Sequence, residues 1–183
     1  GFANETAAVG TGSINFEFGT WSGGTFSANS TQTSKQITIA STNNTLTGLR
    51  DEINSANMGV TASILKTGTS SFSLMLKSTE GAANALRLKT TEDPASSGLS
   101  SISYTSVNSS IETVAASNAS FSIDGTDITR TENTITDLID GVTLTLKSAT
   151  NAAETIGAIY DNSVAQTAIE SIVSEINTLQ TSL

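Results

Sequence analysis

One phrase is written twice in this chain, in two lengths, and no other feature of the sequence restricts the fold as much. Residues 44–63 read NTLTGLRDEINSANMGVTAS, and residues 133–146 read NTITDLIDGVTLTL. Each opens on Asn-Thr, passes an apolar pulse, reaches Gly-Val-Thr and launches an alternating stretch. In the first copy Leu46, Leu49 and Ile53 recur at i, i+3 and i+7, the spacing of one helix face. Asn44 stands where an N-cap side chain would accept a backbone N–H. Gly59 stands where a helix stops in the left-handed backbone that other residues avoid. In the second copy Asn133 takes the cap position, Ile135 and Leu138 supply the pulse, and Gly141 the stop, leaving room for about one helical turn. The spacing predicts that 37–76 and 121–147 each fold as strand, capped helical turn, glycine stop, strand. Both would be small sheets under a short amphipathic lid.

The remaining signals agree with strands. Val9 to Phe18 alternates from Ile14 onward, and GTWSGG at 19–24 reads as its break. Ile37 and Ile39 share one face of a further strand. GVTASIL and SFSLMLKS are strands joined by the Gly-containing connection KTGTSS. In ASFSIDGTDITR, Asp124-Gly125 between two alternating runs predicts a β-hairpin. Residues 90–110 hold the only proline among many serines and read as a linker. From Asp161 the period changes. Val164, Ala165, Ile169, Ile172, Val173, Ile176, Leu179 and Leu183 recur at three- and four-residue steps, with Asn162 or Ser163 as cap. The stripe of Ile169, Ile172, Val173, Ile176 and Leu179 is the candidate surface for packing against a partner helix. Because this pattern still runs at Leu183, it reads as the start of a stem in a longer protein.

The expected fold is therefore α+β and mainly β, with two small antiparallel β-rich domains under short helical lids and a C-terminal helical stem. The expected organisation is residues 1–12 as a connector to the stem, 13–106 and 107–158 as the two β-rich domains, and 159–183 as the beginning of the stem.

Composition narrows function mainly by exclusion. Eight Lys and Arg against 17 Asp and Glu leave a net charge of −9, which repels phosphate backbones and anionic headgroups. Neither nucleic acid nor membrane is an expected partner. No stretch has the length and apolarity of a membrane-spanning helix. The chain has no Cys and no His, which removes disulfides, thiolate nucleophiles, the commonest general base and the usual zinc ligands. No metal, cofactor or catalytic residue is expected. Asp124 and Asp127 have a fragment of calcium-loop spacing without the later ligands, so a hairpin turn is the better reading. Asp137 and Asp140 serve better as turn residues than as a glycosidase pair, since no aromatic-lined cleft is indicated. GTGSIN at 10–15 lacks the lysine and further glycines of a phosphate cradle. Trp21 could stack on a sugar, but a lone Trp beside strands more often folds back onto the core. An assembly or binding role is what remains.

Two segments carry a resemblance. Residues 39–88 look like the module that flagellin-related axial proteins carry, with Ile53-Asn54 at its centre. Residues 118–150 resemble the flagellar filament cap family, hook-associated protein 2, at Asn118, Phe121, Asp124-Gly125, Arg130, Asn133, Ile135, Leu138 and Gly141-Val142-Thr143-Leu144. The resemblance implies a non-enzymatic structural protein in a ring at the tip of the bacterial flagellum, outside the cell and exported by the flagellar type III system. Its implied partners are flagellin, which folds and inserts beneath it, further copies of itself and, in some members, host mucin. A surface adhesin for mucin or glycan, and an outer domain of flagellin, are the alternatives.

Overall fold

The structure, a computed structural model, describes residues 1–106, 114–157 and 162–181. The first module is organised by its long strand β1 (Gly12–Ser22). Ile14, Phe16 and Phe18 point into the core, at 1%, 0% and 4% exposure, as period-two alternation requires. The strand runs on through Trp21 instead of breaking at Gly19. The reversal falls at Gly23-Gly24, both with positive φ, and leads into β2 (Thr25–Ala28), which pairs back from Ser22↔Thr25 to Gly19↔Ala28. Next, β3 (Lys35–Ile39) takes the rest of the same edge, Gly12↔Ile39 to Phe16↔Lys35.

Helix α1 (Leu46–Ser55) buries Leu46, Leu49 and Ile53, the three residues of the predicted stripe. Gly59 has φ +79, as a helix-ending glycine should. It launches β4 (Val60–Gly68), which pairs in antiparallel with β5 (Ser71–Ser78). The other edge of β1 is covered by β6 (Ala85–Glu92), from Gly12↔Glu92 to Gly19↔Ala85. A core that includes Val9, Phe16, Ile39, Leu49, Val60 and Leu88 lies between the β1 sheet, α1 and the β4–β5 hairpin.

Two expectations are corrected here. Residues 1–12 are more than a connector, because Val9 is 1% exposed in the core and Phe2 and Ala8 bridge Phe72 and Thr45. The described part of the serine-rich stretch, up to residue 106, is likewise bound into the first module. Leu99, in a one-turn 3₁₀ helix (Leu99–Ile102), is fully buried, and Tyr104 bridges Leu88 on the outer edge of β6. Trp21 folds back as expected. Its ring meets Phe26 and Tyr104 edge-on at centroid distances of 4.9 and 5.8 Å, and Nε1 donates to the Leu86 carbonyl at 3.0 Å. It is not a stacking platform.

The second module is two hairpins. The first joins β7 (Ala119–Ile123) to β8 (Thr126–Arg130) through Asp124 and Gly125, whose φ of +48 and +80 are the pair of left-handed residues that a tight two-residue turn demands. The second joins β9 (Thr134–Ile139) to β10 (Val142–Thr145) around Gly141, at φ +74. The helical turn expected after Asn133 is absent, so Asn133 caps no helix. One isolated turn must bear the whole nucleation penalty. Thr134, Ile135, Thr136 and Ile139 are β-branched, and a partner strand lies immediately downstream. Among described residues 114–147 only Ile135 is buried, at 2% exposure.

Chain contacts divide the molecule into two compact units, Gly1–Lys147 and Ser148–Leu183, so both β modules belong to one unit. The second unit contains α2 (Ser163–Thr181), whose first turn is closed by Gln166 N–H donating to the Asn162 carbonyl at 2.9 Å. The expected domain boundaries at 107 and 159, the expected onset at Asp161 and the stripe residue Leu183 lie outside the described residues.

Candidate functional site

The Ile53-Asn54 pair shows why the first copy of the phrase has its particular residues. Helical geometry sends Ile53 into the core while its neighbour Asn54 looks sideways along the edge of β4. There the Asn54 amide nitrogen donates to the Ala62 carbonyl at 2.9 Å, and its oxygen accepts the Ala62 N–H at 2.8 Å. The side-chain amide thus substitutes for a strand partner and ties α1 to the hairpin it covers. Sequence reading placed Asn54 at the centre of the motif, but its partner could not be seen until β4 was in position.

The start of α1 is corrected. Its N-cap is Thr45, with extended backbone and Oγ1 accepting the Gly48 N–H at 3.1 Å. Asn44 lies one residue earlier, and its carbonyl accepts the Val9 N–H at 2.8 Å. Asn and Thr both cap well, so local preference left the frame open. The incoming N-terminal segment decided it.

The second copy provides a different set of contacts. Asn133 N–H donates to Glu80 Oε2 at 2.8 Å, and Asn118 Oδ1 accepts the Ala82 N–H at 2.8 Å. Bonds from Asn133, backbone first, together with Lys77 nearby, hold the Glu80 carboxyl below its ordinary range despite some desolvation. Glu92 is also held low, first by the Gly98 N–H and then by Ser100. At Glu17 burial pushes the pKa up, but bonds and charge from Arg87 and Lys89 prevail and the net shift is downward. These three carboxylates are anchors, each already committed to backbone or cation donors.

Asp124, Gly125 and Gly141 are exposed turn residues, and the Asp137 carboxylate meets Arg130 Nε at 3.3 Å. Among the described residues no cluster of three or more metal-ligating side chains occurs, and no helix is long and apolar enough to cross a membrane. The structure does expose a run of large apolar side chains on α2. Ile169, Ile172, Val173, Ile176 and Leu179 are 62%, 57%, 50%, 58% and 63% exposed. They follow three- and four-residue steps, so they share one stripe. Such a stripe can bind another apolar helix; nothing in its composition supports catalysis.

Comparison with known proteins gives these surfaces a context. The sequence model described as flagellar hook-associated protein 2 C-terminus matches residues 116–183. The hook-associated protein 2 of Salmonella typhimurium is 34% identical over 146 residues, covering 79% of this chain and 31% of the relative. The chain belongs to the flagellar hook-associated protein 2 family. The Escherichia coli member is also 34% identical, over 78% of this chain and 31% of its own length. This chain therefore spans about a third of the length of these two relatives. Among solved structures, the D1-D2-D3 domains of the Escherichia coli flagellar cap protein FliD are similar over 99% of this chain and 58% of that one, with TM-score 0.63 and 28% identity. The D2-D3 domains of the Serratia marcescens cap protein match over 82% and 78%, with TM-score 0.67 and 27% identity. The fold is that of a structural flagellar cap family: mostly β, in small antiparallel sheets, with a C-terminal helix.

Proposed function

We propose that this chain supplies β-rich plate and stem elements of a cap at the tip of a bacterial flagellar filament, where the assembled protein holds newly exported flagellin while it folds and inserts. The observation that carries this reading is the similarity over 99% of the chain to a solved flagellar cap protein. The physical features fit the role. A cap must present shape and contact surface, and this chain has small antiparallel sheets joined by tight turns and an apolar helical stripe for a neighbouring helix. Association with further copies of itself as a ring, export through the flagellar type III channel and a location outside the cell belong to the same proposal. Catalysis has no part in it.

The experiment is deletion of the gene in the source bacterium, with filaments counted by electron microscopy and flagellin assayed in the medium. Loss of filaments, with flagellin shed as monomer and rescue by the complete gene, is the expected result. Normal filaments in the deletion strain would overturn the cap reading and bring forward the adhesin reading, to be tested by binding to mucin.

A further inference from the structure

The second module has almost no core with which to hold itself together. Its two hairpins form separate two-stranded sheets, and Ile135 is the buried residue among 114–147. An exposed pair, Arg130 Nε to Asp137 Oδ1 at 3.3 Å, links them. Isolated two-stranded hairpins are marginal in water, so something outside them has to fix their arrangement.

That something is a three-residue turn of the first module. Asn118, immediately before β7, receives the Ala82 N–H on its Oδ1 at 2.8 Å. Asn133, immediately before β9, donates its N–H to Glu80 Oε2 at 2.8 Å. Between them Gly81 is buried with φ +101, and a β-carbon there would come within 3.2 Å of the Thr131 carbonyl, just after β8. The turn is itself braced by Asn84, which donates to the Glu80 carbonyl, while Gln32 reaches Asn84 at 2.7 Å. The bases of both hairpins thus converge on Glu80-Gly81-Ala82. Beside the turn lies an open groove of about 920 Å³ whose lining includes Asn57 and Lys77 of the first module and Thr131 and Glu132 of the second.

We propose that Glu80-Gly81-Ala82 is a two-point latch with one charge-dependent contact: the Ala82 bond to Asn118 holds β7 and β8 to the first module, while ionised Glu80 holds the start of β9 through the Asn133 N–H, a hold that weakens when Glu80 is neutral. An ionised carboxylate is the stronger acceptor for the Asn133 N–H. The charged groups facing the latch are Lys77 from β5, which favours the ionised state, and Glu132 on the approach to β9. Glu80 is held below its ordinary 4.5, so the Asn133 contact is strongest above that pH and weakens as pH falls through the lowered value. This inference concerns motion within the β-rich unit and holds whether or not the chain acts in a filament cap.

The test is NMR on the ¹⁵N-labelled chain. Residual dipolar couplings of 118–147 would be compared with those of β1 and β6, and amide exchange followed at Asn133 and Ile135. In Glu80→Ala the couplings of β9 and β10 should fall relative to those of β7 and β8, and the two exchange rates rise roughly three- to ten-fold, while amides of Ile14 and Phe16 stay unchanged. Glu80→Gln keeps an acceptor of the same shape, so it should remain partly latched and abolish the acid response of the Asn133 amide shift. Asn118→Ala should free β7 and β8 while the Glu80 bond to Asn133 persists. Unchanged couplings in Glu80→Ala, or an Asn133 shift that titrates identically in wild type and Glu80→Gln, would overturn the latch.

Discussion

Replacing Asn54 with Ala deletes both bonds to Ala62 and leaves that residue's N–H and C=O without their partner on the α1 side. Ala62 is only 3% exposed, so its backbone is poorly placed to recover water. Two net hydrogen bonds at about 1 kcal/mol each give about 2 kcal/mol, and imperfect rehydration raises the expected loss to about 2–4 kcal/mol. That exceeds the ~1 kcal/mol of removing the Thr45 cap and approaches the ~2–5 kcal/mol of truncating buried Leu49 to Ala. Asn54→Asp separates geometry from chemistry. The carboxylate still accepts from the Ala62 N–H but presents negative charge to the Ala62 carbonyl, so at neutral pH it should destabilise about as much as Ala. Urea unfolding followed by circular dichroism reads the change as a shifted midpoint at constant slope. A loss within the ~0.5 kcal/mol scatter of surface substitutions for Asn54→Ala, or wild-type stability for Asn54→Asp, would refute the claim that this side chain ties helix to hairpin.

Glu17, Glu80 and Glu92 all have folded pKa values below the ordinary 4.5, so their stabilisation is complete above that value and lost as pH falls through the lowered ones. Melting temperature should fall as pH drops below 4.5, and with no His in the chain it should vary little between pH 6 and 8. Gly141→Val forces a β-branched side chain to φ +74 and should destabilise the β9–β10 hairpin by about 1–2 kcal/mol, seen as faster amide exchange there; no change would mean the turn tolerates ordinary residues. Ile172→Ala and Ile176→Ala, at positions 57% and 58% exposed, should change the stability of this chain by less than ~0.5 kcal/mol in thermal unfolding. In the longer protein the same changes should approach the ~2–5 kcal/mol of buried sites, and equal effects in both settings would remove the partner-helix role from the stripe.

Local chemistry alone determined a good deal of this protein. Alternation at Ile14, Phe16 and Phe18, the three-residue stripe of α1, the Asp124-Gly125 turn and the left-handed glycines at 59 and 141 were all legible, because each depends on backbone preference and on which side of one element is greasy. The missing Cys and His narrowed function for the same reason, since side-chain inventory needs no fold. Tertiary structure decided the rest. Residues 85–92 carry a weak strand pattern in a polar neighbourhood and became β6 because β1 had a free edge to pair. Thr45 prevailed over Asn44 as cap once the Val9 N–H had taken the Asn44 carbonyl. The second copy of the phrase shares most of its pattern with the first, yet β9 is a strand, since one short turn could not repay its nucleation when β10 lay within reach. The contacts of Asn54 with Ala62 and of Glu80 with Asn133 join residues 8 and 53 positions apart, and a donor's partner at such separation is chosen by the packing of whole elements, which local pattern does not record.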